Sequence, residues 1–348
     1  MKNRILQMLT SQRKRHISFH TPGHKRAGVD ITELPYSDNL TNPQGVLLDA
    51  QREIAQILGA EKSFILTDGS TCGVFSMLYA VKAAGTHSLA VPVFSHPCVL
   101  HACKAMGLEV VPLPQEYAYG LPKKLTKEAL REGLEKADAL LLTSPDYYGF
   151  LAPLQEARSL CDEYKKPLLV DGAHGGHLHF GEAHAGKYAD LWVDGVHKSL
   201  PACTQGAVVS AKNGTWGAFL EEGVHIFRTT SPSYPIMASV EYAVKYPRNE
   251  QIEFLAEAFK SAHGCVKNDD WTKILVPFGE YSDAAQRFLE ERGVYPEFND
   301  GNYLLFYLSP CTKPRELKLL GKLLEKLPRG EVKEGAACGE IPMYGEKK

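Results

Sequence analysis

The chain lacks the features that mark membrane, secreted and nucleic-acid-binding proteins. No stretch approaches the roughly 18 consecutive apolar residues that a membrane-spanning helix needs. Residues 1–20 carry five lysines and arginines but no long apolar core, so they do not read as a secretory signal. The 39 lysines and arginines are balanced by 41 aspartates and glutamates, which leaves no bulk positive charge for nucleic acid or an anionic membrane. These absences favour a cytoplasmic protein that acts on a small molecule.

Cysteine spacing excludes two further classes of protein. The chain has eight cysteines, but no two of them form a CxxC pair, so neither a zinc ribbon nor a thioredoxin-type motif is indicated. In a cytosolic chain of this size we expect the thiols to be reduced and mostly buried.

The composition that is present is that of an ordinary globular protein. Hydrophobic residues make up 44% and charged residues 23% of the 348 residues, a length that suggests about two domains. The middle of the chain alternates short apolar runs with amphipathic segments, which predicts an α/β fold whose mainly parallel sheet is covered by helices on both faces. The predicted strands are 63–67, 88–94, 109–113, 139–143, 167–171 and 191–196, and the predicted helices are 69–84, 97–106 and 154–164.

The last third of the chain predicts a smaller α+β unit. Its strands are expected at 273–276 and 302–308, and its helices at 282–292 and 313–327. Residues 241–269 read as a helical connection between the two parts. The sequence therefore predicts an N-terminal segment and large domain over residues 1–240, and a small C-terminal domain over residues 241–348.

The first turn of interest, Asp68-Gly69-Ser70-Thr71, lies between a predicted strand and a predicted helix. Ligands of open α/β sheets bind at the carboxyl ends of strands. Here a glycine lets the backbone approach a ligand, and the helix N-terminus offers N–H groups to a phosphate. Taken alone, such a string is more often an ordinary helix cap.

Two further turns carry an acid and a lysine. Asp171 ends a buried apolar strand, where a carboxylate must be paired to stay charged, and a protonated pyridine nitrogen is one such partner. Lys198 follows the next predicted strand, 27 residues later. A lysine in a ligand crevice can form a Schiff base once its amine loses a proton. The simpler interpretations are an N-cap aspartate and a surface lysine.

A histidine and a hydroxyl-rich loop complete the set. His96 follows another predicted strand and can stack on a flat aromatic ligand, although a structural histidine is the commoner explanation. Residues 228–234 (RTTSPSY) can donate hydrogen bonds to phosphate oxygens or can form an ordinary turn into a helix. Together with the phosphate turn, the acid and the lysine, these features match the requirements of a pyridoxal phosphate site.

The sequence resembles the pyridoxal-phosphate-dependent ornithine/lysine/arginine decarboxylases, which have the aspartate-aminotransferase fold. The resemblance runs in order from about residue 15 to residue 240. It departs from the family's usual pattern where Gly172 replaces an acid, where Gly195 stands in the region of a serine, and where SHPC at 95–98 replaces NxHKS. The shared strings are FHTPGHK at 19–25, DITEL at 30–34, DNL at 38–40, NPQG at 42–45, DGST at 68–71, TSP at 143–145, YG at 148–149, DGAHG at 171–175, HKSLPA at 197–202 and TTSPSY at 229–234.

The resemblance implies a role for each matching residue. Lys198 would carry the cofactor, Asp171 would pair with its pyridine nitrogen, and His96 would stack on its ring. Ala173 and His174 would lie beneath or beside the ring. The resemblance also implies a homodimer with shared active sites. The phosphate would be held by Gly69, Ser70, Thr71 and His197, and by Thr229, Thr230 and Ser231 from the partner subunit.

The implied fold is a PLP-dependent transferase-like large domain with a seven-stranded sheet, followed by the small α+β domain. The implied activity is decarboxylation of a basic amino acid of the lysine, ornithine or arginine class, giving an amine and carbon dioxide without a metal ion. Another PLP-dependent lyase, an aminotransferase and a non-catalytic paralogue remain alternatives.

A zinc enzyme is a further alternative, because His-x-His can coordinate zinc. No carboxylate–histidine helix motif accompanies these histidines, and glycines interrupt the run, which disfavours it. The histidines concerned are His174, His177, His179 and His184.

Overall fold

The computed structural model describes residues 2–11, 17–26 and 29–332. The chain forms two compact units, of which the second takes in two earlier segments besides the C-terminal part. The predicted small domain runs to residue 348, and residues 333–348 lie outside the described part. The first unit comprises Met1–Leu113, Leu130–Ser144 and Leu154–Tyr246, and the second comprises Pro114–Ala129, Pro145–Pro153 and Pro247–Lys348.

The two units together contain the following strands and α-helices, which are numbered in chain order. The strands are β1 Lys62–Leu66, β2 Ser88–Pro92, β3 Glu109–Leu113, β4 Tyr117–Ala118, β5 Leu121–Pro122, β6 Ala139–Thr143, β7 Leu168–Gly172, β8 Leu191–Asp194, β9 Ala207–Ala211, β10 Lys273–Pro277, β11 Phe298–Asn299 and β12 Tyr303–Tyr307. The helices are α1 Arg4–Ser11, α2 Val46–Leu58, α3 Gly69–Ala83, α4 Pro97–Met106, α5 Lys127–Lys136, α6 Leu154–Tyr164, α7 Val196–Ser199, α8 Gly214–Phe227, α9 Tyr234–Val244, α10 Glu250–Ala262, α11 Ser282–Glu290 and α12 Pro314–Leu324.

A seven-stranded sheet in the order β1-β9-β8-β7-β6-β2-β3 organises the first unit. The pairs from β8 through β7, β6 and β2 to β3 are parallel, and β9 runs antiparallel to both of its neighbours. Every residue of β2, β7, β8 and β9 is buried, which explains why these strands read as continuous apolar runs. The predicted mainly parallel sheet is therefore confirmed. Because the parallel strands point the same way, the carboxyl ends of β2, β6, β7 and β8 lie along one edge.

An apolar core joins one face of this sheet to helices α3, α4 and α8. Leu66, Leu169 and Val193 belong to this core from the sheet, and Val74 and Leu220 belong to it from the helices. All five are buried. None of the described helices is long and apolar enough to span a membrane.

The second unit is built around a smaller antiparallel sheet in the order β10-β12-β11. Its core includes Ile274, Phe278 and Leu304 from the region of this sheet, with Phe259 and Leu320 from α10 and α12. The short strands β4 and β5 form a separate two-stranded ribbon.

The predicted helical connection over residues 241–269 is not one continuous helix. Two helices, α9 and α10, occupy this region and are separated by residues 245–249. Pro247 explains the break, because it has no N–H to donate and disfavours the helical conformation of the residue before it. The Asn249 side chain then accepts a hydrogen bond from the Ile252 N–H at 3.2 Å and caps α10. The predicted strand 191–196 also ends early, at Asp194, and a helical turn follows it.

Candidate active site

Helix α3 begins directly after β1 and presents its N-terminus at the carboxyl edge of the sheet. Gly69 has φ +78°, a conformation that favours glycine, and its N–H donates to the Gln205 carbonyl at 2.9 Å. The N–H groups of Ser70 and Thr71 lie in the first turn, where a helix offers no carbonyl to accept them. This turn can therefore bind a phosphate group.

The loop that follows Lys198 connects its helical turn, α7, to the N-terminus of α3. The backbone N–H and the Nδ1 of His197 both contact the Gly206 carbonyl, at 3.1 Å and 2.9 Å. Gly206 follows Gln205, which binds Gly69. Two consecutive carbonyls thus link the N-terminus of α3 to the helical turn that carries Lys198. Burial lowers the pKa of the His197 imidazole.

Asp171 lies at the end of β7 and is only 2% exposed. Its Oδ1 accepts a hydrogen bond from the Ala173 N–H at 3.1 Å, and its backbone carbonyl accepts one from the Ser144 N–H at 3.0 Å. A carboxylate this deep needs a cationic or hydrogen-bonding partner to remain charged. A protonated ring nitrogen is a group of that kind.

His174 and Lys198 meet across the ends of β7 and β8. The His174 Nε2 lies 3.2 Å from the Lys198 Nζ. His174 is buried and Lys198 is half-buried. The structure therefore brings together two residues that lie 24 positions apart in sequence.

His96 lies at the start of α4, where its Nδ1 accepts a hydrogen bond from the Cys98 N–H at 3.2 Å. Reduced access to water lowers the pKa of its imidazole, while the charge of Asp171 opposes this shift and that of Lys198 adds to it. His96, Asp171 and Lys198 are therefore close enough to influence one another electrostatically. His96 is exposed, so a ligand can reach its side chain.

The hydroxyl-rich loop reaches the phosphate turn of its own chain. The Thr229 N–H contacts the Asp68 Oδ2 at 3.4 Å, and the Thr229 hydroxyl accepts a hydrogen bond from the Ser231 N–H at 3.1 Å. Thr230 and Ser231 are exposed. A contact of this loop with a partner subunit remains a prediction.

Sequence reasoning missed three residues at this edge. The Cys98 thiol is buried, which raises its pKa to about 12; Asp171 adds to the shift, and a hydrogen bond from Thr71 opposes it. The Ser95 and Thr143 hydroxyls are buried and have no hydrogen-bonding partner among the described residues. Thr143 pairs with Asp171 in the sheet register, so both side chains face the same side. For Ser95 and Thr143, the signal available in the sequence was a hydroxyl residue at or directly after the end of a predicted strand.

The histidine run does not form a metal site in the part of the chain that the structure describes. The His179 Nδ1 contacts the Gly176 carbonyl at 2.7 Å, and the His184 Nε2 contacts Asp194 at 3.3 Å. His174 instead faces Lys198. The histidines therefore make separate contacts.

The seven-stranded, mainly parallel sheet and its helices have the architecture of the PLP-dependent transferase-like α/β fold. The model of the Orn/Lys/Arg decarboxylase major domain matches residues 26–268. The chain belongs to that family, and the resemblance seen in the sequence is confirmed.

Relatives of known sequence agree with this assignment. The uncharacterized protein YaaO of Bacillus subtilis (strain 168) is 29% identical over 387 aligned positions, which cover 97% of this chain and 80% of YaaO. An arginine decarboxylase of Halalkalibacterium halodurans is 29% identical over 258 positions, which cover 66% of this chain but 52% of that enzyme.

Solved structures share the fold. The Francisella novicida lysine decarboxylase LdcF matches with a TM-score of 0.79 and 20% identity, over 93% of this chain and 59% of that one. A structure titled as SPT with PLP matches with a TM-score of 0.64 and 14% identity, over 80% of this chain and 75% of that one. This chain thus spans somewhat over half the length of the named decarboxylases that it matches.

Proposed function

We propose that the protein is a pyridoxal-phosphate-dependent decarboxylase that converts a basic amino acid of the lysine, ornithine or arginine class into an amine and carbon dioxide. The observation that carries this proposal is the contact of Lys198 with His174 beside the buried Asp171, at the edge where α3 offers its N-terminus. Membership of the decarboxylase family supports the choice of reaction, and the names of the relatives support the class of substrate.

The donor set at the carboxyl edge fits pyridoxal phosphate. The first turn of α3, with Ser70 and Thr71, suits the phosphate, and the buried Asp171 carboxylate suits a protonated ring nitrogen. The hydroxyls of Ser95 and Thr143, which have no hydrogen-bonding partner among the described residues, provide polar groups for a ligand at the same edge. When bound, the cofactor supplies an electron-withdrawing ring that accepts the electron pair left on the α-carbon as carbon dioxide departs.

The protein's own residues would bind, orient and exchange protons. Lys198 would hold the cofactor's aldehyde carbon once its amine has lost a proton. His174, in contact with the Lys198 Nζ, would accept or return that proton. Asp171 would keep the ring nitrogen charged, and the exposed face of His96 would fix the plane of the ring.

We further propose a homodimer in which the Thr229–Ser231 loop reaches the partner's site. Ile17 and Phe19 support it, because these large apolar residues are 85% and 95% exposed, and Phe19 begins the FHTPGHK segment. Exposed apolar residues of this size favour burial against another surface. Sedimentation of cofactor-saturated protein tests the idea, and Phe19→Ser should weaken the dimer. A saturated monomer would contradict the proposal.

A cytoplasmic location is also proposed. The seven cysteines of the described residues are all free thiols, four of them buried, as expected in a reducing compartment. Fractionation of cells that produce the protein tests this, and enrichment in a membrane or extracellular fraction would contradict it.

The activity is tested by incubating cofactor-loaded protein with lysine, ornithine, arginine and a wider amino-acid panel while both carbon dioxide and amine are measured. We expect equal amounts of the two products from one or more of the basic amino acids. A keto acid in place of carbon dioxide would identify an aminotransferase. No product from any amino acid, in protein that binds the cofactor, would indicate a non-catalytic paralogue.

A further inference from the structure

Two glycines begin the turns that carry His174 and Lys198. Gly172 ends β7, and its carbonyl accepts the N–H three residues further on at 2.7 Å. Gly195 follows β8, and its carbonyl accepts the Lys198 N–H at 3.0 Å. Since β7 and β8 are paired neighbours, the two turns start side by side.

Close approach, rather than an unusual backbone conformation, requires both glycines. Neither Gly172 nor Gly195 has a positive φ. A Cβ on Gly195 would lie 2.3 Å from the Ala173 carbonyl oxygen, and a Cβ on Gly172 would lie 2.8 Å from the Val193 carbonyl oxygen. Real Cβ atoms essentially never come that close to another atom. The missing side chains therefore let the two turns touch.

This packing has a consequence for the contact between His174 and Lys198. A side chain at Gly195 would require the Ala173 carbonyl to retreat by about 1 Å to reach ordinary van der Waals contact. Ala173 directly precedes His174. The His174–Lys198 contact is already 3.2 Å long, so a movement of that size would break it.

We propose that Gly172 and Gly195 form a positioning pair: by letting the two turns touch, they keep His174 against Lys198 and so set the acid–base behaviour of the Lys198 amine. The chemical importance of that amine rests on the proposed function. The contact itself is a property of the protein alone and can be tested without turnover.

Other titratable groups face Lys198 as well. His96 and Cys98 approach it from the start of α4, and His197 lies on the same helical turn. Asp171 faces His96 and Cys98 in turn. None of these four side chains is altered in the glycine variants, so a change in the Lys198 pKa in those variants reports the turn contact.

The test measures the pKa of the Lys198 amine in the full chain before cofactor is added. Lysines are acetylated competitively over a range of pH, and the peptide that contains Lys198 is quantified by mass spectrometry. We expect His174→Ala to shift this pKa by about half a unit or more. Gly172→Ala should shift it in the same direction, and should add nothing further in the His174→Ala background.

Gly176→Ala is the matched control. It lies in the same segment, but its Cβ would be 3.4 Å or more from every neighbour, an ordinary contact. Its Lys198 pKa should equal that of the wild type. Gly195→Ala is the more severe variant, and Gly172→Ala decides the question if Gly195→Ala does not fold.

Three outcomes would overturn the proposal: an unchanged Lys198 pKa in His174→Ala, additive shifts in the double variant, or an equal shift in Gly176→Ala. The same proteins are then loaded with pyridoxal phosphate, and the pH dependence of the visible absorbance band is recorded. Its midpoint should move in Gly172→Ala and not in Gly176→Ala. If even the wild type gives no band, the proposed function fails, while the pKa comparison still decides the role of the glycines.

Discussion

The Nδ1 of His197 lies 2.9 Å from the backbone carbonyl of Gly206. A carbonyl can only accept, so Nδ1 carries the proton, and the Nε2 of the neutral ring is left with a lone pair. Burial lowers the pKa of this imidazole, which favours the neutral ring in the free protein. A neutral ring of this tautomer cannot donate a hydrogen bond from Nε2 to a phosphate.

Cofactor binding is therefore expected to take up a proton on His197. A phosphate dianion beside the ring raises the imidazole pKa, because an opposite charge favours the charged form. The range that matters lies between the lowered His197 pKa of the free protein and the raised His197 pKa of the complex. As the pH increases through this range, the Kd of pyridoxal phosphate should rise by up to about tenfold per pH unit. The measurement is the Kd of pyridoxal phosphate from about pH 6.5 to 8.5, above the second pKa of the phosphate itself.

His197→Asn is the reference for this prediction, because its amide donates at every pH. Both proteins carry Lys198→Ala as well, so that attachment to the lysine does not contribute to the pH dependence. The His197 protein should show the steeper rise of Kd with pH. Parallel curves for the two proteins would mean that His197 stays uncharged in the complex.

Asp171→Asn should separate the charge of this side chain from its structural role. The asparagine Oδ1 can still accept the 3.1 Å hydrogen bond from the Ala173 N–H, so the turn should remain intact. Loss of the charge removes the partner of a protonated ring nitrogen. We expect cofactor binding to persist while kcat falls by about a hundredfold or more. Asp162→Asn, at an exposed position on α6, is the control. An unchanged kcat in Asp171→Asn would mean that Asp171 only accepts the hydrogen bond of the turn and does not support turnover through its charge.

The DNL motif has a structural explanation in Asp38. Its carboxylate accepts hydrogen bonds at 2.9 Å from four backbone N–H groups, those of Asn39, Gln44, Gly45 and Leu47. Burial alone would raise the pKa of the Asp38 carboxyl, but these hydrogen bonds prevail and lower it. A lowered folded-state pKa stabilises the fold above the unfolded-state pKa, and that stability is lost as the pH falls through the folded-state value.

Asp38→Ala is expected to lower the free energy of unfolding by about 1–2 kcal/mol at neutral pH. Asp38→Asn is the sharper comparison, because asparagine also tolerates the φ of +66° found here but carries no charge. Thermal melts between neutral pH and about pH 3 should show a larger loss of Tm in the wild type than in Asp38→Asn. Equal losses would exclude Asp38 as a source of the acid sensitivity.

The alternation of apolar runs predicted the main sheet because strands buried on both faces need continuous apolar residues. It did not find β9 or α8. The β9 sequence AVVSA contains small residues and a serine, and it becomes a strand only because β1 and β8 flank it with antiparallel partners. Helix α8 is interrupted by glycines at 217 and 223, which weaken its helical propensity. Tertiary contacts decided both elements.

The candidate site was predictable as a set of turns, and its contacts were not. Asp68, Asp171 and Lys198 each lie at or shortly after the end of a strand, and strand direction alone brings them to one edge. The contact of His174 with Lys198 depends on how closely two turns pack, which Gly172 and Gly195 determine. Cys98 was overlooked because a buried thiol next to a proline carries no motif that points to a ligand.

A buried acid on α9 fastens the N-terminal helix α1 within the first unit. Glu241 is fully buried. Its Oε1 accepts a hydrogen bond from the Arg4 N–H and its Oε2 accepts one from the Ile5 N–H, both at 2.8 Å. The Lys245 Nζ lies 2.7 Å from the Glu241 Oε1. Glu241→Gln should destabilise the protein by about 1–3 kcal/mol, because the amide nitrogen cannot accept from one of these two N–H groups; Lys245 keeps Glu53 as an ionic partner. Hydrogen exchange should accelerate within α1 well before it does in β7. Uniform acceleration across the chain would argue against a local role in docking α1.

The last prediction concerns Lys198 as the point of cofactor attachment. Lys198→Ala should abolish the visible absorbance band of the loaded protein while leaving its Tm close to that of the wild type, because a half-buried side chain is removed from a site and not from the core. The first turn of α3 should still bind the free cofactor weakly. Lys187→Ala is the matched control, since its side chain is 45% exposed and contacts Glu182 outside the site. Borohydride reduction of the wild type should fix the cofactor on the peptide that contains Lys198. Label on another lysine instead, such as Lys25 in the FHTPGHK segment, would overturn the assignment and the reaction proposed from it.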